Sequence, residues 1–355
     1  MNQRNVFILL AAVVALVLLV TVGDRTRSAS SGTGATFVPG LEAALANVER
    51  ITVVKANGET VATLEWRPEN WVVTEKNDYP ADVTKLRQAL RALGEAKILE
   101  AKTANPELYA RLGVEDVSGA DAVGLAISLT APGQELPTVI LGNAEGSKYR
   151  YARRAGDAQS YLIDRNPDLA RSTALWLDTV IVDVRSDRVR QVTITQPGGE
   201  TLSLTKASVD TPNFAVAGVP AGRALLYPGV ADVVGNSLRE LNLEDVEPAT
   251  NPVEGAPAVV EFRTFDGLVV TARGNKRGDE SWVSIEASVD AAQAASAAAP
   301  AAAATPATDA ATPATNPTAE AARINAKVGG WHYRIANFQY DQMTRRVADL
   351  LKPPV

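Results

Sequence analysis

The chain has 355 residues, a formal net charge of −6 and 46% hydrophobic residues, enough length and apolar content for two domains of ordinary size. It has no cysteine and a single histidine, His332, which excludes disulfides, thiolate metal sites, thiol nucleophiles and any site that needs two imidazoles. An acidic body also gives no footing to nucleic acid or to broad adhesion on anionic lipid.

Val6 to Val22 (VFILLAAVVALVLLVTV) carries no charge and one polar side chain, Thr21. This run predicts a transmembrane anchor within residues 1–24, about 25 Å long against a bilayer core of roughly 30 Å. Arg4 and Arg25 can snorkel to its two ends. A cleaved signal peptide would want an apolar core of about 7–15 residues and an A-x-A site, for which Ser28-Ala29-Ser30 is a poor substitute. Lys and Arg are nearly balanced across the run; a short apolar segment before a large body places that body in the periplasm of a bacterial inner membrane. Residues 25–36 (RTRSASSGTGAT) are polar and Gly/Ser-rich and read as a flexible tether.

Residues 37–185 form the expected first half of the body. Val48 to Leu64 alternates apolar and polar residues around Asn57-Gly58, a strong hairpin signal. Trp71-Val72-Val73 is a third strand. Asp82 caps a helix with Val83, Leu86, Leu90 and Leu93 on one stripe, closed by Gly94. Strands follow at Val123–Leu129, Thr138–Leu141, Lys148–Arg153 and Ser160–Ile163. Asn166-Pro167 opens a helix predicted to reach about Val182.

Residues 186–288 repeat the plan. Val189 to Leu202 aligns with Val48 to Val61, sharing Val48/Val189, Thr52/Thr193, Gly58/Gly199, Glu59/Glu200 and Thr60/Thr201. Phe214-Ala215-Val216 stands for the third strand and Val233 to Leu241 for the helix, and strands follow at Val259–Thr264, Leu268–Ala272 and Trp282–Ile285. The order of elements implies a duplication. Residues 289–319 are nearly all Ala, Pro and Thr and read as a disordered insertion. In residues 320–355 a helix near Ala321–Val328, a strand at Trp331–Ala336 and a last amphipathic helix bearing Met343, Val347, Leu350 and Leu351 complete the second half. Hairpins dominate and no βαβ run appears, so the fold class is α+β: an N-terminal transmembrane helix, then two related, mostly antiparallel halves with packed helices.

Chemistry is sparse. His332 lies in an alternating strand and would need a carboxylate or nucleophile beside it to act as a base. Asp164, Asp168, Asp178, Asp183 and Asp187 cluster along the chain but without a calcium-loop pattern. Tyr149, Arg150, Tyr151, Arg153 and Arg154 alternate base and aromatic, the best candidate surface for a ligand or partner, with anionic envelope polymer or phospholipid ahead of nucleic acid. No GxGxxG, GxxxxGK[ST] or GxSxG motif occurs, so no cofactor, metal or catalytic residue is assigned.

Trp71-Val72-Val73, the Tyr109-to-Val114 segment (Y-x-x-L-G-V), Trp176-Leu177-Asp178, the V-x-x-V-x-I run from Val189 and Trp331-x-Tyr333-x-Ile335 come in an order that resembles the DUF4340 family of bacterial membrane-anchored proteins. The resemblance implies an extracytoplasmic accessory protein beside ABC-type transport or export components, with no catalytic residues to carry over. A binding module for envelope polysaccharide or peptidoglycan is the alternative, and a hydrolase using two close carboxylates a third reading.

Overall fold

The computed structural model describes residues 32–251, 255–298 and 316–353. The apolar run at 6–22 lies outside them; among the described residues no helix is long and apolar enough to cross a membrane. The body is α+β and mostly antiparallel, and it divides into two units between Asp178 and Thr179.

The first unit holds β1 (Arg50–Val54), β2 (Thr60–Trp66), β3 (Trp71–Val73), β4 (Tyr79–Pro80), β5 (Ile98–Ala101), β6 (Leu125–Thr130), β7 (Val139–Glu145), β8 (Tyr149–Arg154) and β9 (Ser160–Ile163). They make one nine-stranded sheet in the order β4-β3-β2-β1-β6-β7-β8-β9-β5. Asn57 and Gly58 both take positive φ, 61° and 65°, as a tight hairpin turn requires. Ile51 and Val53 bury one face of β1 while Thr52 and Val54 stay half-open, the two-residue period read from sequence. Helix α1 (Leu41–Ala44) precedes the sheet. Helix α2 (Val83–Gly94) is capped by Asp82, whose carboxylate accepts from Lys85 N at 2.9 Å, and it buries Leu86, Ala89, Leu90 and Leu93. Gly94 does not end it in a left-handed turn; a Cβ there would sit 3.3 Å from Leu45 Cδ1, so this glycine serves close packing. Helix α3 (Tyr109–Leu112) ends at Gly113, φ 67°.

The second unit holds β10 (Val180–Val182), β11 (Val189–Thr195), β12 (Thr201–Thr205), β13 (Ala215–Val216), β14 (Leu241–Asn242), β15 (Asp245–Pro248), β16 (Ala258–Thr264), β17 (Leu268–Arg277), β18 (Glu280–Val289) and β19 (Trp331–Ile335). Its main sheet runs β13-β12-β11-β16-β17-β18-β19-β15. Strand for strand this is the first sheet's order, β4 alone lacking a counterpart. In both units the strand after the helical stretch crosses to the far edge: β5 pairs β9, and β15 pairs β19. Each unit also opens on an extended lead-in. Gly34 N donates to Ile98 O at 2.7 Å and Phe37 N to Ala96 O at 2.7 Å; in the second unit β10 pairs β14.

That lead-in corrects the helix expected over Asn166–Val182. Only a short 3-10 turn, Thr173–Trp176, forms there. Trp176 and Leu177 are buried and Val180–Val182 is strand, because the β-branched run gains a partner in β14 that an isolated helix would not have. The helix expected at Val233–Leu241 is one turn, α4 (Asp232–Gly235). The Ala-rich stretch is ordered at both ends. Helix α5 (Ala291–Ala298) follows Asp290, whose Oδ1 accepts from Gln293 N at 3.2 Å. Helix α6 (Pro317–Val328) uses Pro317 at its first turn and Asn316 as cap, a place where a missing N–H costs nothing; residues 299–315 lie outside the described set. Asn325 of α6 exchanges two 2.7 Å hydrogen bonds with the backbone of Ala287, covering a stretch of β18 that β19, paired only to Ser281–Val283, leaves open. The final amphipathic helix is interrupted: α7 (Asn337–Met343) stops at Thr344 and a 3-10 turn, Val347–Leu350, follows.

Candidate functional site

β8 carries the five residues singled out by sequence, and the structure does not present them as one surface. Tyr149 alone is openly exposed, at 39%. Arg150 Nε donates to Asn166 Oδ1 at 2.6 Å, and burial pushes its pKa down against the opposing charge of Asp168. Tyr151 donates its hydroxyl to Glu145 Oε2 at 2.8 Å; that bond, then burial, raises its pKa. Arg153 is 3% exposed. It donates to Val114 O at 2.8 Å, to Asp157 O at 3.0 Å and to Asp116 Oδ1 at 2.5 Å, with its guanidinium 4.5 Å from the centre of the Tyr109 ring. Arg154 donates to Phe37 O at 2.9 Å and lies over the rings of Phe37 and Tyr161. Arg153 is an internal brace with every guanidinium nitrogen engaged, as a buried cation requires; Arg154 is braced through Nε and Nη1, while among the described residues its buried Nη2 has no partner.

The Y-x-x-L-G-V segment is what Arg153 braces. Tyr109 stacks beneath it and donates its hydroxyl to Ala158 O. Gly113 takes the left-handed φ that turns the chain, and Val114 supplies the carbonyl. Gly142 passes so close that an added Cβ would strike Leu112 O and lie 2.8 Å from Val114 Cγ1.

His332 lines a cavity of about 240 Å³ with Trp282, Arg273, Asn275 and Ser284. Its strand partner Glu247 places Oε1 3.6 Å from the imidazole Nδ1, beyond hydrogen-bond reach. Glu247 is held instead by Arg277 Nη1 at 2.5 Å and Asn251 Nδ2 at 3.0 Å. Burial works to raise the Glu247 pKa, but these two hydrogen bonds and the Arg277 charge outweigh it and hold the carboxylate below its ordinary range. Among the described residues no hydrogen bond joins Ser284 to His332. The row Ser284–His332–Glu247 therefore lacks both links on which a nucleophile–base–carboxylate relay runs.

The aspartates take local roles. Asp164 accepts from Lys97 N at 2.8 Å and Asp183 from Glu240 N at 3.0 Å, while Asp187 pairs Arg185. Among the described residues no three His, Cys, Asp or Glu side chains gather as a metal site.

A feature that sequence reasoning missed lies at the β2–β3 hairpin. Trp66 and Trp71 are paired across its end, their ring centroids 5.9 Å apart at 60°. They wall an open groove of about 620 Å³ with Leu45, Asn47, Glu49 and Pro132. Trp66 is 47% exposed. The nearby Arg50 and Arg67 both pair with Glu65, at 2.5 and 2.6 Å. The signal was present in two tryptophans flanking the turn Arg67-Pro68-Glu69-Asn70, which brings them opposite each other.

A family model described as a domain of unknown function (DUF4340) matches residues 71–257, more than half of the chain. No curated protein matches the chain, and no solved structure does.

Proposed function

We propose, on the premise that the chain belongs to the DUF4340 family, that it is a non-catalytic accessory protein of a bacterial inner membrane. Residues 6–22 anchor it, the body faces the periplasm, and an ABC-type transport or export subunit is its partner. The carrying observation is the uncharged run Val6–Val22 followed by the polar stretch 25–36: exposing so many apolar side chains to water is costly, and lipid removes that cost. The body supports the reading by its build. Its two sheets share one strand order, and Arg153, Arg154 and Arg188 each bind internal carbonyls or carboxylates, the chemistry of a scaffold. The partner class comes from the family resemblance alone.

The test is affinity purification of the full chain from membranes in mild detergent. Recovery with a transporter subunit in fixed ratio supports the proposal; recovery alone, reproducibly, overturns the partnership. Protease protection in intact spheroplasts would overturn the periplasmic orientation, and release of uncleaved full-length chain by alkaline carbonate would overturn the anchor.

A further inference from the structure

We infer that the Trp66–Trp71 groove of the first unit binds an uncharged glycan chain, with the Trp66 ring as stacking platform and Asn47 and Glu49 as hydroxyl-binding groups. A tryptophan left nearly half exposed beside a second one is an apolar surface that water covers poorly, and strand pairing holds both rings in place. The groove is open and about 620 Å³, so a ligand that extends beyond it is not blocked by a closed cavity wall.

Polar groups at its wall set the ligand class. The Asn47 amide and the Glu49 carboxylate are exposed, and neither side chain has a partner within the protein among the described residues. An aromatic wall with a few unengaged hydrogen-bonding groups is the pattern of a site that orients a polyhydroxyl ligand. Among the described residues Glu49 is the only charged one lining the groove, and the neighbouring Arg50 and Arg67 are balanced by Glu65 and Asp78. A uronate polymer or an anionic lipid surface would meet uncompensated negative charge there. The edge-to-face contact of the two indoles leaves no slot between them for a cation, so stacking on the exposed part of the Trp66 ring remains. The inference concerns the first unit and stands apart from the transporter partnership.

The experiment uses the full chain in phosphatidylcholine nanodiscs. Cellotetraose, chitotetraose and polygalacturonate are titrated against tryptophan fluorescence and by calorimetry. The uncharged tetrasaccharides should bind, and polygalacturonate should bind more weakly. Trp66→Ala should weaken the tetrasaccharides about tenfold through loss of the ring, and Trp66→Phe should retain most of the affinity. Equal binding to wild type and Trp66→Ala, no binding of either tetrasaccharide, or preference for polygalacturonate would overturn it. So would quenching of Trp66 by brominated lipid in the same nanodiscs, which would make the groove a lipid contact.

Discussion

Tyr161 and Tyr333 occupy the same position in the two sheets. Each is buried, each sits on the strand next to the far edge, opposite Ala152 in one unit and Val283 in the other, and each is followed two residues later by a buried isoleucine, Ile163 or Ile335. On their other side they face Ala101 and Val246, on the strands that cross to that edge. The shared Y-x-I marks a join that neither hairpin signal reveals: where each unit's crossing strand meets the end of its second meander.

Arg153 tests whether the basic strand is brace or binding surface. Arg153→Ala strands the buried Val114 carbonyl, at a cost of about 1–3 kcal/mol for one unmet acceptor; Asp157 and Asp116 are exposed, turn to water and add little. Urea unfolding of the purified chain should show that loss. Wild-type stability in the variant would return Arg153 to the list of ligand candidates.

Glu247 predicts an acid limb in stability. Its folded-state pKa is depressed, so just below its unfolded pKa of about 4.3 the unfolded chain binds more protons than the folded one. Stability from this group is present above that pH and drains away as pH falls toward the folded value. Glu247→Gln should flatten the stability-against-pH curve in this window relative to wild type. Parallel curves would show that Arg277 and Asn251 do not hold the carboxylate.

Glu320 should lock α6 to the second unit. Its carboxylate, 5% exposed, accepts twice from Arg188, at 3.0 and 2.7 Å, and Asp266 accepts from the same guanidinium at 2.7 Å. The hydrogen bonds that Arg188 donates to Glu320 lead in raising the Arg188 pKa above its ordinary value, against burial. Glu320→Gln should cost about 1–3 kcal/mol, with faster amide exchange in α6. A double-mutant cycle with Arg188→Met that gives no coupling would dissolve the pairing.

Gly142→Ala should destabilise the first unit by about 1–3 kcal/mol through overpacking, because the backbone of Leu112 and Gly113 cannot retreat from the new methyl without breaking the Val114–Arg153 contact. Thermal unfolding would read it. Gly146→Ala, at an open turn with nothing within 4 Å, is the comparison: its cost should come from positive φ alone.

Local signals were legible where one segment decided its own shape. Asn57-Gly58 turned the first hairpin, Asp82 capped α2, and Ser160–Ile163 was a strand as read. Pro317, in contrast, lies in the stretch read as a disordered insertion and instead begins a helix, since the missing N–H that is harmful inside a helix is harmless at its first turn. The candidate site was misread for a related reason. The alternation of bases and aromatics in β8 is plain in the sequence, but whether Arg153 faces water depends on Tyr109 and Val114, which reach it only through the fold.

By itself, the sequence determined the uncharged run before the body, the repeated hairpins and the α+β class, because charge, apolar period and turn residues act over a few neighbours. Only the tertiary structure decided that Ile98–Ala101 and Asp245–Pro248 cross to the far edges, that Val180–Val182 is strand, and that Trp66 meets Trp71 at an open groove. Those outcomes are set by hydrogen-bond partners and packing surfaces brought from distant parts of the chain, and short apolar segments take whichever conformation such partners complete.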